Sequence, residues 1–212
     1  IGKGTYGTVV RSTYQNVPCA TKICHEEDPT STMEIILAYR LVHPCIVKVF
    51  NVSIQSPKCF ITMELADESL LDYMQKYTLC PRSRLQIYTN IRDALMHMHS
   101  IGYMHRDVKP GNIILFGQTA KLCDFGMAAE LCDCRDYNVV TVHYRAPEVF
   151  ERRPYTHTID VWALGCVLYE MRTQRPLFPR EDMVYADIMN LNVMILTDTE
   201  YKLLLRYDRF FV

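Results

Sequence analysis

The chain is organised around two short stretches, HRDVKPGN at residues 105–112 and DFG at residues 124–126. They contain two acidic residues, Asp107 and Asp124, together with the lysine Lys109 and the amide Asn112. Carboxylate and amide oxygens suit Mg²⁺, and a nearby lysine can approach a phosphate group. A site that holds a metal-bound triphosphate beside a hydroxyl nucleophile needs these groups. The two stretches therefore predict a phosphoryl-transfer site.

Composition narrows the class of protein. Of the 212 residues, 49% are hydrophobic, which is enough to bury a core. The 23 Lys and Arg residues nearly balance the 24 Asp and Glu residues, so we expect no nucleic-acid partner. No apolar run reaches the roughly 18 residues that a membrane span needs, and the N-terminus has no signal pattern. We therefore expect no membrane partner.

The cysteines indicate a reducing environment. There are nine of them, an odd number, and they are scattered through predicted strands and helices, unlike a disulfide framework. We interpret Cys132 and Cys134 as free thiols in a loop rather than metal ligands, because no second Cys or His pair follows at ligand spacing. The pattern predicts an intracellular location, in the cytoplasm or the nucleus.

Residues 2–9, GKGTYGTV, predict a glycine-rich turn that leads into a strand. Glycines allow the backbone to turn tightly and its N–H groups to approach phosphate oxygens, so Gly2, Gly4 and Gly7 are candidates for nucleotide binding. A dinucleotide-binding loop would need a helix directly after the glycines, whereas Thr8 and Val9 favour a continuing strand. No Gly-Lys-Ser/Thr closes the stretch, which excludes a Walker loop.

Other segments have clear local patterns. A helix-like run begins at Glu34 and ends before Pro44, which cannot continue it. Residues 46–49 and 59–63 are predicted strands that complete a small antiparallel sheet. Residues 83–100 carry apolar side chains at spacings of three and four and are followed by Gly102, which predicts a helix.

The order and spacing of these motifs resemble the eukaryotic protein-kinase family from Ile1 to about Pro179. The resemblance implies an α+β fold with two lobes that together form one kinase domain. Residues 1–66 would be the N-lobe, with the glycine-rich loop, an antiparallel sheet, one helix and the hinge. Residues 67–212 would be a mostly helical C-lobe, which has too few residues for the family's closing helices. We therefore expect either a fragment or a minimised kinase.

The resemblance implies roles for two charged residues of the N-lobe and for two of the catalytic loop, which comprises residues 105–112. Lys22 would contact the α- and β-phosphates of ATP and pair with Glu34. Asp107 would orient the acceptor hydroxyl and accept its proton. Lys109, two residues later, would meet the transferring phosphate.

The resemblance also implies the metal ligands and a brace for the catalytic loop. Asn112 and Asp124 would bind Mg²⁺ through oxygen atoms. Asp160 would support the backbone around His105 and Arg106 from below.

The adenine site follows from the same resemblance. The ring would lie among three apolar side chains, those of Val9, Ala20 and Ile114. Backbone groups of the hinge residues Glu64 and Ala66 would hydrogen-bond the adenine edge.

The substrate class follows from the catalytic loop and the segment at residues 141–148, TVHYRAPE. Lysine at position 109 is typical of serine/threonine kinases, and the segment resembles the cyclin-dependent and mitogen-activated (CMGC) group. The hydroxyl of Thr141 would connect Asp107 with Lys109. His143 replaces the usual tryptophan, so a preference for proline after the phosphoacceptor is only weakly indicated. The expected substrate is a protein.

Two features suggest regulation. Counting back from Thr141, the usual activating phosphosite falls on Asp136, so a fixed negative charge could pair with Arg106 in place of a phosphate. The alternative is an acidic residue in a solvated loop. Thr5 and Tyr6 resemble an inhibitory phosphosite pair, but they also suit a β-turn.

Two rival functions remain. Ala38 stands where the family usually has a larger apolar residue, which would weaken the coupling of the helix to the rest of the site. An activating, cyclin-like partner protein could then stabilise the active arrangement. The first rival function is a catalytically silent pseudokinase that acts as a binding scaffold. A small-molecule kinase is a further alternative, which strong turnover of a metabolite would favour.

Overall fold

The N-terminal part of the chain forms an antiparallel sheet. The computed structural model describes residues 2–4, 7–25, 27–132, 136–137, 141–182, 186 and 188. Five strands form the sheet in the order β1-β2-β3-β5-β4, and they are β1 (Gly2–Gly4), β2 (Gly7–Tyr14), β3 (Val17–His25), β4 (Val49–Gln55) and β5 (Lys58–Glu64). This five-stranded sheet, called the large sheet below, confirms the antiparallel sheet predicted from the sequence.

Gly7 is required where the glycine-rich turn enters β2. Its φ is +149°, and a Cβ atom there would lie 2.6 Å from the carbonyl oxygen of Ile23 on β3. A side chain at this position would therefore push the hairpin apart. The predicted Thr5 and Tyr6 phosphosite pair lies outside the described residues.

One helix, α1 (Pro29–Ala38), follows the third strand. The sequence-based prediction placed its start at Glu34, five residues too late. The helix begins earlier because Pro29 stands at its first position and the carboxylate of Asp28 accepts a hydrogen bond from the N–H of Thr30 at 2.9 Å. Glu34 is therefore held in the middle of a capped helix.

The prediction of a strand at residues 46–49 was wrong. The strand β4 begins only at Val49 and continues to Gln55. The preceding residues pair instead with a strand near the catalytic loop, because the N–H of Val47 donates to the carbonyl of Leu122 at 2.9 Å. The N–H of Leu122 in turn donates to the carbonyl of Cys45, also at 2.9 Å.

The rest of the described chain is mainly helical. It contains α2 (Leu70–Lys76), α3 (Pro81–Ser100), α4 (Pro147–Phe150) and α5 (Thr158–Thr173). A three-stranded sheet has the order β6-β8-β9, with β6 (Glu68–Ser69), β8 (Ile113–Phe116) and β9 (Thr119–Leu122), and β7 (Tyr103–Met104) pairs with β10 (Ala129–Glu130). This combination of an antiparallel sheet and a helical part confirms the predicted α+β class.

The longest helix, α3, agrees with its predicted pattern. Its apolar residues Ile87, Ile91, Leu95 and Met98 are buried, and Gly102 follows the helix end with φ +88°. The packing of α3 against α5 and β9 forms the main core. Within the residues that the structure describes, no helix is both long enough and apolar enough to span a membrane.

Candidate active site

A buried lysine lies between two carboxylates where β3, α1 and the DFG stretch meet. The Nζ atom of Lys22 is 2.6 Å from Oε2 of Glu34 and 2.8 Å from Oδ1 of Asp124. Lys22 and Asp124 are separated by 102 positions in the sequence. The predicted pairing of Lys22 with Glu34 is present, and Lys22 also contacts Asp124 of the DFG stretch.

The charges of this cluster change the pKa values of its members. Burial alone would lower the pKa of Lys22, but the neighbouring carboxylates of Glu34 and Asp124 outweigh it and raise that pKa above its ordinary value. Burial raises the pKa of Glu34 to about 6, although the charge of Lys22 opposes the shift. Burial also acts to raise the pKa of Asp124, but Lys22 reverses this and the net pKa is lowered. Lys22 therefore remains charged, and Asp124 remains a carboxylate at neutral pH.

The catalytic loop forms a second polar cluster around the buried carboxylate of Asp107. Lys109 Nζ lies 2.6 Å from Asp107 Oδ2 and donates to Thr141 Oγ1 at 2.9 Å. The Thr141 hydroxyl donates to Asp107 Oδ1 at 2.9 Å. Asn112 Nδ2 donates to Asp107 Oδ2 at 2.8 Å. The predicted connection of Asp107 and Lys109 through Thr141 is confirmed.

The two proposed metal-ligand segments lie side by side. The N–H of Cys123, next to Asp124, donates to the backbone carbonyl of Asn112 at 3.0 Å. Asp124 has φ +63°, in the left-handed region that Asp tolerates better than most residues. In the part of the chain that the structure describes, no group of three or more His, Cys, Asp and Glu side chains converges as a metal cluster.

The buried carboxylate of Asp160, at the start of α5, braces the catalytic loop. Its Oδ2 accepts the N–H of His105 and its Oδ1 accepts the N–H of Arg106, both at 2.8 Å. His99 Nε2 also lies 2.8 Å from Oδ2. The predicted brace is confirmed, whereas the contribution of His99 was missed. The sequence held one signal of this contact, because His99 is a polar residue four positions after the apolar Leu95 on the same face of α3.

Two of the candidate adenine-binding residues, Val9 and Ala20, lie on one face of the large sheet. Val9 is directly opposite Lys22, and Ala20 is directly opposite Met63. Directly opposite residues and residues two apart on one strand share a face, so all four point to the same side. The third candidate, Ile114, lies on β8 of the three-stranded sheet.

Glu64, at the end of β5, makes contacts that the sequence did not reveal. Its N–H donates to the carbonyl of Lys48 at 3.0 Å, and its carboxylate accepts the N–H of Lys48 at 2.7 Å. The same carboxylate pairs with Lys121 of β9 at 2.6 and 2.8 Å. Because the N–H of Glu64 is engaged, only its carbonyl remains a candidate for an adenine contact. Ala66, two residues after the end of the strand, is half-buried.

Arg106 contacts the candidate substitute for a phosphosite. Its Nη1 lies 3.5 Å from Asp136 Oδ2, and its Nε donates to the carbonyl of Met127 at 2.6 Å. Arg106 also donates to the hydroxyl of Tyr155 at 3.2 Å, and that hydroxyl donates to the carbonyl of Asp136 at 2.5 Å. Arg106 has a left-handed backbone with φ +65°. The predicted contact between Arg106 and Asp136 is present.

Comparison with known proteins agrees with this geometry. The family described as "Protein kinase domain" matches residues 1–207. The chain therefore belongs to the protein kinase family, whose members use ATP.

Several curated proteins are similar to the chain. It is 35% identical to cyclin-dependent kinase F-3 of Oryza sativa subsp. japonica, with 84% of the chain and 44% of that protein covered. It is 36% identical to serine/threonine-protein kinase Nek5 of Mus musculus, with 84% and 30% covered. It is 32% identical to protein kinase gsk31 of Schizosaccharomyces pombe, with 87% and 53% covered. The predicted likeness to serine/threonine kinases is confirmed. The chain spans about a third to a half of the length of these relatives.

Proposed function

We propose that this chain is the catalytic domain of a protein serine/threonine kinase, which transfers the γ-phosphoryl group of ATP to Ser and Thr hydroxyls of protein substrates. The contact of Lys109 with both Asp107 and Thr141 carries this proposal. It connects the catalytic loop to the segment at residues 141–148, which we propose as the docking site for the peptide. A lysine between the proton acceptor and the docking segment can follow the phosphoryl group as it moves to the hydroxyl.

Each charged side chain then has a distinct role. Asp107 orients the hydroxyl and accepts its proton, and Lys109 stabilises the charge of the transferring phosphoryl group. Lys22 binds the α- and β-phosphates while Glu34 keeps its ammonium in position. The distances of 2.6 and 2.8 Å from Lys22 to the two carboxylates support an arrangement that is already assembled.

Asn112 and Asp124 fit a Mg²⁺ site. Carboxylate and amide oxygens are hard ligands, and Mg²⁺ completes its shell with water and phosphate oxygens. The amide nitrogen of Asn112 is engaged with Asp107, which supports Oδ1 as its ligand atom. When bound, the ion would neutralise phosphate charge.

The nucleotide site would be formed by the large sheet and the hinge. The backbone of Gly2, Gly4 and Gly7 would approach the phosphates, and adenine would pack against Val9, Ala20 and Ile114. The carbonyl of Glu64 and backbone groups of Ala66 would bind its edge. We place the boundary between an N-lobe, residues 1–66, and a C-lobe, residues 67–212, at this hinge.

The test is phosphoryl transfer from Mg-ATP to a generic basic protein, followed by phosphoamino-acid analysis. We expect phosphoserine and phosphothreonine from the unmodified chain and from the control Asp182→Asn, whose side chain is exposed. Asp124→Asn should give none. A folded chain without transfer would support a pseudokinase scaffold, and turnover confined to a metabolite would support a small-molecule kinase.

We also propose that Asp136 supplies a fixed charge that keeps Arg106 in its active arrangement. Asp136 is 58% exposed, so the attraction is weak and salt-sensitive. Asp136→Asn should lower the kinase activity several-fold at low salt and less at high salt, while Asp182→Asn leaves it unchanged. Equal activity of Asp136→Asn and the unmodified chain at low salt would contradict the proposal.

An activating partner protein is a further proposal. Ile36, Tyr39 and Val42 expose large apolar side chains on and just after α1, with Tyr39 70% and Val42 81% exposed. Half-buried Ala38 contributes only a methyl group on the same helix. A helical partner that covers this surface would hold α1, and thus Glu34, in place.

An intracellular location in the cytoplasm or nucleus would suit both this partner and the cysteines that the structure describes, which are in the reduced form.

A further inference from the structure

Two buried cysteines face each other on neighbouring strands of the large sheet, near one end of both strands. Cys24 of β3 is directly opposite Cys59 of β5, and their Sγ atoms are 2.9 Å apart. Directly opposite residues of antiparallel strands have Cα atoms about 4.5–5.5 Å apart, which lies within the range of disulfides. Closing the bond would shorten the distance between the sulfur atoms by about 1 Å. The backbone therefore needs little movement to form it.

The two cysteines are buried, but the side chains that cover them are partly exposed. Cys24 is 4% exposed and Cys59 0%, and together with Ile61 they form a small apolar cluster separate from the main core. The side chains packed around this cluster, including Ile35 of α1 and Val52 of β4, are themselves only partly buried. A limited displacement of α1 would thus open a path for a small solute.

We propose that Cys24 and Cys59 form a redox-modification site, at which a peroxide oxidises the thiol pair to a disulfide. One thiol is first oxidised to a sulfenic acid, and the peroxide is reduced by two electrons. The second thiol then attacks that sulfur, the S–S bond forms and water leaves. Both thiol hydrogens end in water, and a dithiol reductant restores the two thiols while it is itself oxidised to a disulfide.

The surroundings of the two cysteines determine how fast the disulfide forms and how it affects β3. Burial and the hydrogen bond with Cys24 raise the pKa of Cys59 to about 12, so little thiolate is present and the reaction is slow. The disulfide would close a loop that contains α1 and β4. It lies two residues from Lys22 on the same strand face, so it would stiffen the strand that holds the lysine.

The experiment treats the purified chain with hydrogen peroxide, alkylates the remaining thiols and maps disulfides by mass spectrometry. We expect a Cys24–Cys59 cross-linked peptide and a rise in melting temperature of roughly 5–10 °C, both reversed by dithiothreitol. The control Cys19→Ala removes another buried cysteine of β3, which lies on the opposite face, and should keep the cross-link. Cys24→Ala should lose it.

Oxidation of the unmodified chain can by itself disprove the proposal, so the test does not depend on whether Cys24→Ala folds. Exposed Cys80 reports that the oxidant has acted. If Cys80 is oxidised while Cys24 and Cys59 remain fully alkylatable after unfolding, the pair is not a redox site. A cross-link between either cysteine and a different partner would also contradict it.

Discussion

At the scale of single residues, the site depends on carboxylates whose surroundings give them different properties. Asp124 is kept ionised by Lys22, whereas burial raises the pKa of Glu34 towards neutrality. Asp107 is surrounded by donors from Lys109, Asn112 and Thr141. A carboxylate held in one orientation by three donors is suited to directing a hydroxyl group, because it does not have to be reoriented during the reaction.

The proposed role of Asp107 leads to a direct prediction. Asp107→Asn keeps the shape of the side chain but cannot accept the proton, so kcat for protein phosphorylation should fall by about 10²–10⁴-fold. The KM for ATP should change little, because Asp107 does not contact the nucleotide in this proposal. Steady-state kinetics would test this, with Asp93→Asn on α3 as the control. A fall of less than about tenfold would contradict the role.

The pKa of Glu34 predicts a dependence of stability on pH. Its ordinary value of 4.5 rises to about 6 in the folded chain. Between these values the folded chain holds a proton that the unfolded chain has released, so stability falls as the pH rises from about 4.5 to 6. Relative to Glu34→Gln, which lacks this titration, the unmodified chain should lose about 2 kcal/mol of unfolding free energy.

Urea denaturation of both proteins across this pH range would measure the difference. The sign distinguishes the effect from that of an ordinary ion pair, which would lower the pKa of Glu34 and raise stability over the same range. A constant difference between the two proteins would show that the pKa of Glu34 is not raised.

At the scale of elements, α1 shows how a local signal can be decisive and still be overlooked. Its apolar positions predicted a helix that begins at Glu34, but the helix begins earlier, where Asp28 and Pro29 cap it. Capping depends on one side-chain hydrogen bond rather than on periodicity, so a search for apolar spacing does not detect it.

The strand wrongly predicted at residues 46–49 shows that an apolar pattern can also be present where the predicted element does not form. Its apolar residues suit a strand, but the chain uses them to pair with Leu122.

The cap of α1 gives a prediction at this scale. Asp28→Ala removes the acceptor of the N–H of Thr30 and should lower the unfolding free energy by about 1 kcal/mol. For a domain of this size, the melting temperature should fall by about 3 °C. Asp28→Asn retains an acceptor and serves as the matched control. Equal losses in both variants would mean that the charge of Asp28, rather than its capping, matters.

At the scale of the whole molecule, α5 connects the helical core to the catalytic loop. Asp160 is 1% exposed and receives hydrogen bonds from two consecutive backbone N–H groups of the loop. Without this acceptor, both groups would be buried with no partner, and their desolvation would no longer be compensated. The position of Asp107 therefore depends on a helix that begins more than 50 positions later in the sequence.

Replacing this brace should affect folding as well as activity. Asp160→Ala should lower the unfolding free energy by about 3–5 kcal/mol, because it leaves buried donors unpaired. Asp160→Asn keeps one acceptor oxygen and should cost less. Chemical denaturation would measure both variants. A loss below about 1 kcal/mol for Asp160→Ala would show that the loop finds other partners.

The sequence by itself determined the family, the α+β class, the order of the motifs and most candidate residues of the site. These follow from local patterns, because residue types at set spacings within one short stretch carry the signal. Only the tertiary structure decided that Lys22 contacts Asp124, that Glu64 pairs with Lys121, and that Cys24 faces Cys59. Each contact joins segments far apart in the chain, and its existence depends on how strands and helices pack. Packing is a property of the whole fold, so no local pattern in the sequence specifies these contacts.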